Sequence, residues 1–83
     1  MERDEARRLA RAYLESTPLP HPYRWVVTDP VVTASGWMFE FEFTCDADIP
    51  PSEWEHFAGA PAFVVTGDGS VDVLSWDRYR EHR

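Results

Sequence analysis

The side chains able to make or break bonds are few in this sequence: Cys45, the histidines His21, His56 and His82, and fifteen Asp and Glu residues. A nucleophile, a base and an orienting acid are thus present by composition, which is what a catalytic triad requires. Their placement argues against one. Cys45 ends an apolar run and is followed by Asp46, and acidic neighbours oppose formation of the reactive thiolate. His21 lies between two prolines and His82 one residue from the end, both in surface-type sequence. A small hydrolase using Cys45 and His56 is therefore a rival reading only, and the chain is expected not to be an enzyme. Cys45, Asp46, Asp48, Glu53, Glu55 and His56 are also donors that zinc or a hard cation accepts. Their spacing fits no calcium loop or zinc finger, and Pro50-Pro51 stiffens the middle, so a solvated acidic loop is expected there, without metal or cofactor.

The carboxylates are distributed unevenly. The net charge is −7, and every basic residue is Arg. Residues 25–77 hold ten carboxylates and no Arg, so the positive charge sits at the two ends. That segment is either a solvated face kept soluble by like charge or a surface that steers a basic partner inward. With no glycine-rich phosphate loop, dinucleotide fingerprint or basic aromatic strip, nucleic acid is not an expected partner.

Small size limits what can position these groups. Eighty-three residues, 43% hydrophobic and 14% aromatic, suit one domain spanning 1–83 with one core. A single cysteine cannot form an internal disulfide, the start of the chain has no apolar signal region, and no apolar run approaches a membrane span. A soluble, cytoplasmic protein is the expectation. Residues 3–15 place Ala6, Leu9, Ala10, Tyr13 and Leu14 on one stripe, the pattern of an amphipathic helix, with Asp4 spaced to pair with Arg8. Pro18, Pro20 and Pro22 end it. Arg24 to Thr28 and Val31 to Thr33 read as a first strand bent at Pro30.

The strongest signal is Trp37-Met38-Phe39-Glu40-Phe41-Glu42-Phe43. Its alternation puts four aromatics on one face and Met38, Glu40 and Glu42 on the other. The aromatic face needs a cover, and helix 3–15 is the expected lid. The opposite face is expected to present Glu40, Glu42 and Asp72 to solvent or a partner. Residues 44–60 read as a loop with one helical turn, Ser52 and Glu55 having capping-box spacing. Ala62 to Thr66 and Ser70 to Leu74 flank Gly67-Asp68-Gly69 as a hairpin, and Ser75 is placed to cap a last helix, residues 76–81. The fold expected is α+β: a small antiparallel sheet of three or four strands, the N-terminal helix packed on one face, and a short C-terminal helix. The exposed edges of such a sheet could pair in a homodimer.

Gly36-Trp37-x-Phe39-x-Phe41, then Gly59-Ala60-Pro61-Ala62-Phe63-Val64-Val65 and Asp68-Gly69-Ser70-Val71, resemble the immunity protein 35 family, also called the YrhB domain. The resemblance covers nearly the whole chain and includes Ala6-Arg7 through Ala10 and Tyr13-Leu14 in the first helix and Tyr79 in the last. Members often carry Asn and a second small residue before the proline, where this chain has Ala58-Gly59-Ala60. The resemblance implies a small α+β protein that neutralises a polymorphic toxin encoded beside it, often one with a protease-like domain. The YrhB name implies, alternatively, a heat-stable chaperone-like or general protein-binding role. Neither role brings a catalytic motif. For a toxin inhibitor the expected partner is a cognate toxin with a basic surface, met by Glu40, Glu42, Glu53, Trp54 and Glu55, since tryptophan is enriched at interface hot spots. For Trp54 and Trp76 the plainer reading is that each closes an edge of a small core.

Overall fold

The computed structural model describes residues 1–56 and 59–81. Phe57 and Ala58 of the expected loop, the surface reading of His82, and Arg83 lie outside the described residues. Helix α1 (Arg3–Glu15) is followed by β1 (Tyr23–Val26), β2 (Val31–Val32), β3 (Gly36–Glu40), β4 (Glu42–Cys45), a 3₁₀ turn (Pro51–Glu53), β5 (Ala62–Thr66), β6 (Val71–Leu74) and α2 (Trp76–Glu81). The class is α+β, and the strand pairs are antiparallel. A four-stranded sheet runs β2-β3-β5-β6, and a separate two-stranded ribbon joins β1 to β4.

The aromatic run is not one strand, contrary to expectation. It breaks at Phe41, whose N–H donates to the Pro61 carbonyl at 3.1 Å, and passes from the main sheet into the ribbon. The bent first strand is likewise two strands in two sheets: β1 pairs with β4, whereas β2 pairs with β3 beyond Pro30. Alternation survives the break, because it reports which side a residue faces and not which strand lies beside it.

Helix α1 covers one face of the main sheet, as expected. Ala6 and Ala10 are fully buried and bring its backbone close to Phe39, Phe63 and Val65. Phe39 and Phe63 are register partners whose rings stack, with centroids 5.5 Å apart and planes 12° from parallel. Tyr13 reaches onward to Phe63 (5.1 Å) and Phe41 (6.5 Å). Phe43, the fourth aromatic of the run, packs against Tyr23 and Trp54.

The opposite face is not a solvent face. Met38, Ala62, Val64 and Leu74 form a second buried cluster, closed by Tyr79 of α2. Asp72, expected to be free there, forms a two-pronged ion pair with Arg78. A six-residue helix with one inward Tyr suffices as this lid. Ser75 Oγ accepts the Arg78 N–H at 3.3 Å, the expected cap.

Other local details follow the chain chemistry. Arg8 pairs with Glu5 at 3.5 Å, one turn back, and not with Asp4. The 3₁₀ turn starts at Pro51, whose fixed φ suits a first helical position, and no side chain caps it, so the Ser52–Glu55 box is unused. The β5–β6 hairpin closes through Gly69 N–H to the Thr66 carbonyl at 2.9 Å. Gly69, at φ +87°, occupies the left-handed position that such a turn demands.

Gly36 is required for a steric reason. Its φ is +153°, and a Cβ there would lie 2.2 Å from the Val65 carbonyl oxygen of β5. Gly36→Ala is expected to destabilise the fold by about 1–3 kcal/mol, as overpacking does, whereas Gly67→Ala, which meets no atom within 4 Å, is expected to be near neutral. Urea unfolding of the two variants checks the difference.

Candidate functional site

The five residues expected to meet a partner fall into different settings. Glu40, the last residue of β3, is half-buried, and its Oε1 accepts a hydrogen bond from the Tyr79 hydroxyl at 2.5 Å. It is therefore part of the α2 contact rather than a freely presented acid, which corrects the expectation. Glu42 opens β4 and is exposed. Glu53 ends the 3₁₀ turn and is exposed. Trp54 is half-buried, its indole N–H donating to the Ile49 carbonyl at 2.9 Å and its ring lying 6.1 Å from that of Phe43. It wedges the acidic loop onto the ribbon, as the plainer reading had it. Glu55 is exposed, and its backbone N–H donates to the Tyr23 hydroxyl at 2.9 Å. Trp54 and Glu55 are thus fastened to the ribbon that carries Glu42, while Glu40 belongs to the main sheet across Phe41.

The exposed indole is Trp76, at 55% accessibility. Its N–H donates to the Gly59 carbonyl at 3.2 Å, and its ring stands edge-on to Tyr79 at 6.0 Å. The signal for this placement was the three-residue spacing from Trp76 to Tyr79, which makes helical neighbours. Once Tyr79 points into the second core cluster, Trp76 sits at the rim of the same surface.

A cleft of about 560 Å³ opens beside this rim, where the main sheet gives way to the ribbon. Trp25, Glu40, Phe41, Glu42, Phe43 and Trp76 are among its lining residues, and no basic residue is among its described lining. A second cleft of about 470 Å³ lies between the end of α1 and β1, and there Arg11 and Arg24 accompany Glu15.

Some of the other acids are matched. Asp29 pairs with Arg7, Asp46 with Arg24, Asp72 with Arg78 and Asp77 with Arg80, at 2.6–2.8 Å. The hydrogen bonds from Arg78 hold the Asp72 carboxyl below its ordinary range, and that carboxylate in turn raises Arg78. Asp68 is lowered by the Thr66 hydroxyl first and then by the Ser70 backbone N–H, both within the hairpin turn. Among the described residues Glu40, Glu42, Asp48, Glu53 and Glu55 form no ion pair, and neither do Glu2, Asp4, Glu15, Asp68 and Glu81.

Cys45 is half-buried opposite Tyr23 in the ribbon, His56 is exposed, and neither lines either of these clefts. Among the described residues no group of three or more His, Cys, Asp or Glu is placed to hold a metal ion, and no helix is long and apolar enough to cross a membrane. No protein-family model matches the chain, and the comparisons with curated proteins and with solved structures return no match.

Two outcomes follow. Tyr79→Phe removes the donor to half-buried Glu40 and is expected to lower stability by about 1–2 kcal/mol; a double-mutant cycle with Glu40→Ala, which removes the acceptor, read by denaturant midpoint, should return most of that loss as coupling. The Asp72 contribution is present above the unfolded-state pKa of about 3.9 and is lost as pH falls through the lower folded value. Being at the surface, it is small and screened by salt. Asp72→Asn should therefore flatten part of the stability decline below about pH 4, measured by thermal melts at low salt.

Proposed function

We propose that this chain is an immunity protein, which binds a cognate bacterial toxin in the cytoplasm of the producing cell and neutralises it by steric occlusion. The observation that carries the reading is the uncompensated acid on one part of the molecule. Glu42, Glu53 and Glu55 are exposed, lack ion pairs among the described residues, and share the ribbon and the loop fastened to it. Such a surface accelerates encounter with a basic partner and disfavours acidic ones. The expected partner is a toxin with a basic face around its active site or substrate channel, protease-like in the family that the sequence resembles. The blocking role asks for no bond-making group on this chain, only for shape, charge and a few desolvated rings.

A second reading has its own support. Val31 and Val32 on the edge strand β2 are 56% and 68% exposed, and Trp76 adds apolar surface elsewhere. Apolar surface of that kind suits a heat-stable chaperone-like or general protein-binding module. Salt dependence separates the two.

The test is co-expression with the toxin domain encoded beside this chain, followed by titration of the purified pair. Growth should be rescued, and affinity should fall on the order of tenfold from low to high salt, mainly through the association rate. A triple variant, Glu42→Gln, Glu53→Gln and Glu55→Gln, should lose most of that salt dependence while keeping its melting temperature. Salt-insensitive binding to many unfolded proteins, with no rescue, would favour the chaperone reading instead.

A further inference from the structure

We propose that the cleft beside Trp76 receives an arginine side chain projecting from the partner protein. This rests on the toxin-binding reading and names what the toxin contributes. The cleft has the two features a guanidinium needs and an apolar residue does not: the exposed Trp76 ring at its rim, and Glu40 and Glu42 in its lining. A planar guanidinium stacks on aromatic rings while its N–H groups reach carboxylate oxygens, and it is less strongly hydrated than a lysine ammonium.

The charge within the cleft is unanswered by the chain itself. Tyr79 donates a neutral hydrogen bond to Glu40 Oε1, which fixes that carboxylate without neutralising it. Glu42 forms no ion pair among the described residues, and Arg7, Arg8, Arg24, Arg78 and Arg80 are engaged with acids that do not line the cleft. The Trp76 ring is held at the rim by its bond to the Gly59 carbonyl and its edge contact with Tyr79, so the wall is formed before any partner arrives. An acidic or neutral polar side chain would find no donor or would leave the two carboxylates unpaired.

The experiment uses the full chain, uniformly ¹⁵N-labelled, titrated with acetyl-Gly-Arg-Gly-amide and, separately, with the same peptide carrying citrulline, the uncharged isostere of arginine. Saturable shifts are expected at the indole N–H of Trp76 and at the amides of residues 40–43, with a dissociation constant on the order of millimolar. The citrulline peptide should bind at least about fivefold more weakly, as loss of a charge-assisted contact predicts. Glu42→Gln and Trp76→Ala, both at exposed side chains, should each weaken the arginine peptide severalfold while leaving the rest of the spectrum in place. Equal shifts from both peptides, or shifts confined to other parts of the molecule, would overturn the proposal. The same two variants are then assayed against the toxin. Full neutralisation by both would remove the arginine site from the toxin interface and leave the inhibitor reading intact. Arginine-peptide binding at the cleft by a chain that neutralises no toxin would retain the site and end the inhibitor reading.

Discussion

The Phe39 ring lies on the Phe63 ring at the centre of the main sheet, and the placement of everything else depends on that pair being covered. Both rings are buried, and each contributes on the order of 2 kcal/mol through its removal from water. Helix α1 can approach them because it offers Ala6 and Ala10 at the contact, with Leu14 one turn further along. Larger side chains there would hold the helix off and leave the stack half-wet. Tyr13 extends the same cover to Phe41, the residue at which the chain leaves the main sheet. The break between the two sheets is therefore packed by rings that also build the core, and the cleft beside it has walls fixed from behind.

Much of this was legible in the sequence, and what was missed has a common cause. The helix stripe, the hairpin at residues 67–69, the capped last helix and the alternation at residues 37–43 are local patterns, in which side-chain period or turn chemistry decides the structure. Strand partnership is not local. Nothing in the alternation of Trp37 through Phe43 says that β3 pairs with β5 while β4 pairs with β1, because both arrangements give the same pleat. Glu40 reads as solvent-facing by its charge and by its place opposite the aromatic face. Its burial follows from Tyr79, thirty-nine residues away, whose hydroxyl makes the position tolerable. The same contact makes a six-residue helix the cover for a second core cluster, a role that its length did not suggest.

The candidate site shows the same division. Glu42, Glu53 and Glu55 are exposed as their types and surroundings imply. The two tryptophans, read alike as edges of a small core, differ in the structure: Trp54, set among acids, is fastened inward by Ile49 and Phe43, and Trp76, at the start of a helix, stands out. A run of acidic residues marks exposed backbone but says nothing of the one large ring within it, which folds back wherever an apolar surface is within reach.

The arginines give the charge pattern its final form. Folding brings Arg7, Arg24 and Arg78, all outside the cation-free segment, against Asp29, Asp46 and Asp72 within it. Each pair is exposed and adds little stability by itself, yet together they decide where negative charge remains uncancelled. Glu40, Glu42, Asp48, Glu53 and Glu55, half of the acids left without an ion pair among the described residues, lie on or beside the strand and loop that surround Phe43 and Trp54. Uncancelled like charge opposes folding through self-repulsion, a cost the fold bears at Glu42, Glu53 and Glu55, which are exposed and form no ion pair among the described residues.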